Sequence, residues 1–318
     1  MNIDAVRALA EAIRGNIGQV IVGCDDTITM VLAALLSRGH VLLEDVPGTG
    51  KTVLAKTLAR SLSLSFKRIQ FTPDLLPSDV TGMSVFNQKT FEFEYKPGPI
   101  FSNVLLADEI NRATPRSQSS LLECMEERQV TQDGVTRPLP APFFVIATQN
   151  PIEIQGTFPL PEAQLDRFFV RLKMGYPEGP AAVNVLERFL RDDPLAAVEP
   201  VASASDIEQA QEGIRAVHVS SAVMGYIASL CEHTRVLEQV LLGVSPRGML
   251  ALLRASQAYA ALKGREYVKP DDVLRVAKPV LAHRVIVRSA YGRSNAAEAA
   301  VDEAIKFTPV PTEDIEER

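Results

Sequence analysis

The stretch Val41-Leu42-Leu43-Glu44-Asp45-Val46-Pro47-Gly48-Thr49-Gly50-Lys51-Thr52 constrains this chain more than any other. A short apolar run enters a glycine-rich turn, and helix-forming residues follow. Strand, turn and helix in that order imply a strand buried on both faces, hence a parallel sheet with helices packed against it. Gly48 and Gly50 let the backbone approach an anion with no Cβ in the way. The turn N–H groups and the N-terminus of the following helix point at that anion. In this geometry Lys51 reaches the β- and γ-phosphates of a nucleotide, and the Thr52 hydroxyl ligates Mg²⁺. The full phosphate-loop pattern G-x-x-x-x-G-K-[ST] asks for glycine at position 45, where this chain has Asp45. The match therefore rests on Pro47-Gly48-Thr49-Gly50-Lys51-Thr52.

A second segment makes the first specific. Asn103-Val104-Leu105-Leu106-Ala107-Asp108-Glu109 is an apolar run that ends in two carboxylates. It reads as another parallel strand buried on both faces. Its acidic end emerges at the carboxyl edge of the sheet, where open α/β folds bind their ligands. Asp108 is then placed to hold the Mg²⁺ water shell, and Glu109 to polarise an attacking water. A second carboxylate there argues for hydrolysis by the protein itself.

The remaining elements alternate. Helices are expected from Ile3 to about Gly15, between Gly23 and Val41, and from Lys51 to about Ser63. Phe66–Phe71, Phe143–Thr148 and Phe168–Met174 read as further strands. Two hairpins interrupt the pattern. One pairs 83–86 with 91–95 around Asn87-Gln88-Lys89-Thr90, and the other turns on Asp133-Gly134. Between them Thr114-Pro115 opens a helix running to about Arg128. After Gly175-Tyr176-Pro177 no comparable strand follows, and amphipathic helices dominate. Asp192 to Ser205 reads as a linker. Met249, Leu252, Leu253, Ser256, Tyr259, Ala260 and Leu262 form one helical stripe closed by Gly264. The expected organisation is a nucleotide-binding α/β core over 1–177, with a hairpin insert at about 83–95, and an α-helical domain over 178–318, each with its own core.

Composition narrows the partners. Acids outnumber bases 39 to 33, the net charge is −6, and no basic cluster interleaved with aromatics is present. Nucleic acid is therefore not the expected partner, and protein is. No apolar run is long enough for a membrane span, and Met1 to Arg7 does not read as a signal peptide. Cys24, Cys124 and Cys231 are odd in number and widely spaced, which fits buried thiols in a reducing, cytoplasmic compartment. His40, His218, His233 and His283 are equally scattered and are assigned no chemistry. The tail Thr312–Arg318 reads as a frayed acidic end.

These motifs, taken in order, resemble the AAA+ ATPases of the MoxR family over nearly the whole chain. The segments that carry the resemblance are Ile21-Val22-Gly23, Leu42 to Thr52, Arg68 to Pro77, Leu105 to Arg112, Ala147 to Pro151, Gly156 to Phe168, and Ser245-Pro246-Arg247. The departures are Asp45 and Cys24, and neither removes a catalytic group. The resemblance implies a five-stranded parallel sheet with a C-terminal α-helical lid, and binding of ATP and Mg²⁺. Ile21, Val22 and Gly23 would border the adenine, and Pro47 through Val53 would hold the phosphates. Asn150 would orient the water with Glu109. Arg247, a cation in a helix first turn that the helix dipole disfavours unless an anion is near, would contact a nucleotide phosphate. Arg167 would be the arginine finger reaching a neighbouring subunit, set against an ion pair with Asp166 or another nearby acid. The hairpin at 83–95 resembles an insert that lies near the central pore of such rings.

The resemblance also implies a homo-hexameric ring that remodels a protein client, with a von Willebrand factor A domain protein as adaptor. Two other classes share the phosphate loop. A small-molecule kinase has no evident use for Glu109, Asn150 and the Arg167 segment together. A nucleic-acid motor on the same core is disfavoured by the acidic charge balance.

Overall fold

The computed structural model describes residues 1–151, 156–190, 193–288 and 293–311. Two helices open the chain, α1 (Ile3–Val20) and α2 (Asp25–Leu36), before β1 (Val41–Glu44) and α3 (Lys51–Ser61). β2 (Phe66–Gln70) and α4 (Pro77–Thr81) lead into the first hairpin, β3 (Gly82–Asn87) and β4 (Glu92–Pro97). β5 (Val104–Asp108) and α5 (Pro115–Glu127) come next, then the second hairpin, β6 (Gln129–Gln132) and β7 (Val135–Pro138). β8 (Phe144–Gln149), the short α6 (Glu162–Leu165) and β9 (Val170–Leu172) complete the sheet region.

Five strands form one parallel sheet in the order β2-β5-β8-β1-β9. The three central strands, β5, β8 and β1, are buried nearly throughout, as their unbroken apolar runs require. Alternate residues go to opposite faces. Leu43, Leu106 and Ile146 join the core formed with α1, α2 and α3. Leu42, Leu105, Ala107 and Val145 join the core formed with α5. β2 lies at the sheet edge, with Lys67, Arg68 and Gln70 exposed.

α1 continues to Val20 instead of ending near Gly15. Its buried stripe, Ile13, Asn16, Ile17 and Val20, runs past the glycine, and that burial outweighs the cost of about 1 kcal/mol for a mid-helix glycine. The turn of the second hairpin has Asp133 and Gly134 both at positive φ, as the Asp-Gly pair requires. In the first hairpin Tyr95 turns inward, edge-on to Phe101 at 5.9 Å, but the other three aromatics do not cover the core. Phe86, Phe91 and Phe93 are 45%, 79% and 73% exposed and stack on one another, with ring centroids 5.4 and 6.3 Å apart.

The remainder is largely helical: α7 (Pro180–Phe189), α8 (Ala204–Gly213), α9 (Ser221–Val236), α10 (Pro246–Leu262), α11 (Pro270–Leu281) and α12 (Arg293–Phe307). A small antiparallel pair, β10 (Val240–Leu242) with β11 (Ile286–Val287), was not expected from the sequence. Two and three residues are too few to show alternation. The stretch 193–203 holds a 3₁₀ turn, Pro194–Ala197, and is tied down. Val201 and Ala202 donate to the Ser61 carbonyl, and the Asn16 side chain donates to Glu199 O. The apolar core of the C-terminal helices is continuous with that of α1 and α2, because α10 packs on both. Separate cores were expected, and the shared packing surface of α10 replaces them. The tail Thr312–Arg318 lies outside the described residues.

Candidate active site

Because β1, β5 and β8 lie side by side, their carboxyl ends bring the turn at 45–50, Asp108-Glu109 and Asn150 to one edge of the sheet. Gly48 and Gly50 have φ of 85° and 88°, a conformation that a Cβ disfavours. A Cβ added at Gly48 would meet nothing within 4 Å, so the turn is open on that side. Gly50 caps α3 with no side-chain hydrogen bond, which leaves first-turn N–H groups available to an anion. These features fit a bound phosphate. Thr52 lies half-buried in the same turn, and Val53 packs against the core.

Lys51 Nζ donates to the carbonyls of Asp45 (2.7 Å) and Val46 (2.8 Å), folding back onto its own loop. Burial lowers its ammonium below the usual lysine range, opposed by attraction to Asp45, Asp108 and Glu109. The role of Asp45 is also visible. Its backbone is not left-handed, so glycine is not required there. Its carboxylate accepts from the N–H groups of Met174 (2.9 Å), Gly175 (2.7 Å) and Val46 (2.8 Å). Asp45 thus clamps the loop to the chain leaving β9.

Asp108 Oδ1 accepts from the Thr148 hydroxyl at 2.6 Å, and Oδ2 accepts from Arg68 at 2.7 and 3.1 Å. Glu109 stands at φ 56°, ψ 50°, an unfavoured conformation for a non-glycine residue, at the sharp exit from β5. Its N–H donates to Thr148 Oγ1, and its Oε2 accepts from Gln70 Nε2 at 2.7 Å and lies 3.2 Å from Arg112 Nε. Asn150 follows β8 directly and is half-buried. Ile21 and Met174 border Gly50, at 3.8 and 3.9 Å from where its Cβ would stand. Gly23 approaches Ala181, and Val22 is half-buried beside it. Two cavities, of about 460 and 450 Å³, lie elsewhere, one beside Lys56 and Arg60 and one lined by Met30, Tyr259 and Leu274, and include none of these residues.

The two candidate arginines are not here. Arg167 precedes β9, whereas Met174, beside the loop, follows it. Phe169 N–H donates to the His40 carbonyl, just before β1 begins, so the Arg167 turn lies at the amino edge of the sheet, whereas the loop follows the carboxyl end of β1. Arg167 Nε lies 3.3 Å from Glu126 Oε2, and Arg247 Nη1 lies 3.1 Å from Glu126 Oε1. Glu126 is in the last turn of α5, which begins near the carboxyl edge and returns to the amino edge. The structure therefore brings Arg167 and Arg247 together, but apart from Lys51, Asp108, Glu109 and Asn150 of the same chain. The anion that the position of Arg247 demands is Glu126. Asp166, offered as a partner for Arg167, instead pairs with Arg284 at 2.7 Å.

Sequence reading assigned no role to Arg68, Gln70, Thr148, Met174 or Glu126. Alternation along Phe66-Lys67-Arg68-Ile69-Gln70 was the available signal, since it sets Arg68 and Gln70 on one face beside the acid-ended strand. Nothing local marks Glu126.

A phosphate loop and an acid-ended strand on one edge of a five-stranded parallel sheet, followed by a helical region, define the AAA+ class. The profile of the ATPase family associated with various cellular activities (AAA) matches residues 40–170, and that of the AAA lid domain matches residues 232–304. An uncharacterized Bacillus subtilis protein, YeaC, is 51% identical over 94% of this chain and 93% of its own length. The chaperone MoxR1 of Mycobacterium tuberculosis is 43% identical over 85% of this chain and 73% of its own. A solved structure from Cytophaga hutchinsonii, described as a candidate ATPase, superposes with a TM-score of 0.89 at 37% identity, covering 97% of both chains. The chain belongs to the MoxR family of AAA+ ATPases.

Proposed function

We propose that this chain hydrolyses ATP as a ring of identical subunits, hexameric by resemblance, and spends the cycle on remodelling a protein client. Maturation or activation of a partner complex, with a von Willebrand factor A domain adaptor, is the role the family resemblance favours. The name of the Mycobacterium tuberculosis relative, a chaperone, supports the same reading. The observation that carries the proposal is the division of the site. The phosphate loop and the acid pair lie at one edge of the sheet, and the two arginines at the other. A complete site then needs a second copy.

At each site the first turn of α3 and Lys51 hold the triphosphate, with Ile21, Val22 and Gly23 against the base. The Thr52 hydroxyl and the Asp108 carboxylate would hold Mg²⁺, which supplies charge neutralisation at the β- and γ-phosphates when bound. Glu109 accepts the proton of the attacking water, which Asn150 helps to orient. Gln70 keeps the Glu109 carboxylate in place. Arg167 and Arg247 of the adjacent copy stabilise charge on the γ-phosphate.

Among the described residues no helix is long and apolar enough to cross a membrane. All three cysteines are free, which suits a reducing cytoplasm, and burial pushes the Cys124 and Cys231 thiols up to about 12, which keeps them unreactive. Phosphate release from Mg²⁺-ATP, measured per subunit, should rise with protein concentration as ATP-promoted assembly appears by sedimentation. A rate independent of concentration, from a monomer, contradicts the proposal.

A further inference from the structure

Arg284 is buried in the 3₁₀ turn Ala282–Arg284 that follows α11, and its bonds converge on a single segment. Nε donates to Asp166 Oδ1 at 2.7 Å. Nη2 donates to the carbonyls of Phe168 (2.7 Å) and Asp166 (3.2 Å), and Nη1 to those of Phe169 (3.2 Å) and Val280. Nη1 also lies 2.8 Å from His283 Nε2, and four of the six contacts fall on residues 166–169, immediately around Arg167. The other Asp166 oxygen accepts from the Ser245 hydroxyl at 3.2 Å, and Ser245 caps α10, the helix whose first turn carries Arg247. One turn into α10, Gly248 packs directly on Arg284, whose Cδ lies 2.7 Å from where a Cβ would stand. One cation therefore ties the Arg167 turn to the Arg247 helix start from behind, while Glu126 bridges the two guanidinium groups in front. A buried charge is a poor device for stability alone, since apolar packing serves as well. The planar fork of arginine, with five fixed donors, is suited to aligning several acceptors at once.

We propose that Arg284 is a positioning residue that holds Arg167 and Arg247 in register, so that both reach the nucleotide of the neighbouring subunit together. This rests on the two-subunit reading above. Arg284→Lys keeps the charge and removes the fork. Because its own phosphate loop lies at the opposite edge of the sheet, the variant should bind a fluorescent ATP analogue within about twofold of wild type, while kcat falls on the order of tenfold or more. Subunit mixing locates the defect. Arg284→Lys mixed with Lys51→Ala should recover turnover, since the intact pocket of one meets the intact arginines of the other. Mixed with Arg167→Ala it should give no more than the sum of the separate rates, because both carry the fault on the arginine side. A merely structural lesion would weaken analogue binding and recover with neither.

Wild-type kcat in Arg284→Lys, or recovery with Arg167→Ala, would overturn the inference. A control mixing Arg167→Ala with Lys51→Ala separates the two ideas. If the control recovers and Arg284→Lys with Lys51→Ala does not, the inference alone fails. If the control itself does not recover, the two-subunit reading fails and the inference with it. Should Arg284→Lys lose its cooperative melt, Ser245→Ala, which deletes the hydrogen bond to Asp166 together with the cap on the Gly248 N–H, should show the same mixing pattern with kcat down about threefold. Wild-type kcat in that variant would also overturn the inference.

Discussion

The two ends of the central sheet are built in different ways. At the carboxyl edge, chemistry sits on backbone geometry: positive-φ glycines, uncapped N–H groups at the start of α3, and a left-handed Glu109. At the amino edge it sits on side-chain ion pairs drawn from distant parts of the chain: Glu126 with Arg167 and Arg247, and Asp166 with Arg284. An edge shaped by backbone can hold a nucleotide within a single chain. An edge that presents two arginines on a half-exposed glutamate has charge to offer elsewhere, because phosphate oxygens can replace the carboxylate as their partner. On the two-copy proposal, binding and completion of the site are separable properties of this molecule.

The largest effects should separate binding from chemistry within the carboxyl edge. Glu109→Gln should retain ATP and lose turnover by ~10²-fold or more, as for a positioned general base. Lys51→Ala should instead lose nucleotide affinity. Equilibrium binding of an ATP analogue beside a phosphate-release assay reads both, and loss of affinity in Glu109→Gln would show that the residue holds the nucleotide instead. Next comes the clamp between the loop and the exit of β9. Asp45→Gly restores the usual loop residue but deletes an acceptor of three backbone N–H groups. It should cost about 2 kcal/mol, a drop of roughly 4 °C in melting temperature. An unchanged melting temperature would show that the clamp is dispensable. Smallest are the hairpin-tip changes. Gln88→Ala and Lys89→Ala lie away from both edges and should leave basal turnover within about twofold. A change confined to client-stimulated activity supports a pore position for the hairpin, and a large fall in basal turnover would attach it to the active site.

Legibility in the sequence follows the same divide. The core strands, the phosphate loop and the acid pair could be read because each is encoded locally: apolar runs, glycines at fixed offsets, a carboxylate at a strand end. The Asp-Gly hairpin and the proline at the start of α5 were legible for the same reason. Glu126 was not, because its meaning comes from two arginines supplied 41 and 121 residues later in the chain. Arg284 was hidden likewise, since its partners lie on the turn before β9. Asp45 was read as a departure from a pattern, whereas the structure shows it doing work that glycine cannot. The short strands β10 and β11 carry no periodicity to read. α1 outran its glycine because tertiary burial, which local propensity does not register, favoured continuing the helix.

The central claim is that one working site takes its pocket from one copy and its arginines from the next. The direct measurement is to mix Arg167→Ala and Lys51→Ala protomers across a range of ratios and record ATP turnover. Each variant alone should be nearly inactive, the arginine loss by ~10³-fold as for an arginine finger. In the mixture, junctions that join an intact pocket to an intact Arg167 should restore turnover, with a maximum at intermediate ratio. No recovery at any ratio, together with a concentration-independent rate in the wild-type protein, would place Arg167 within its own site or outside the chemistry altogether.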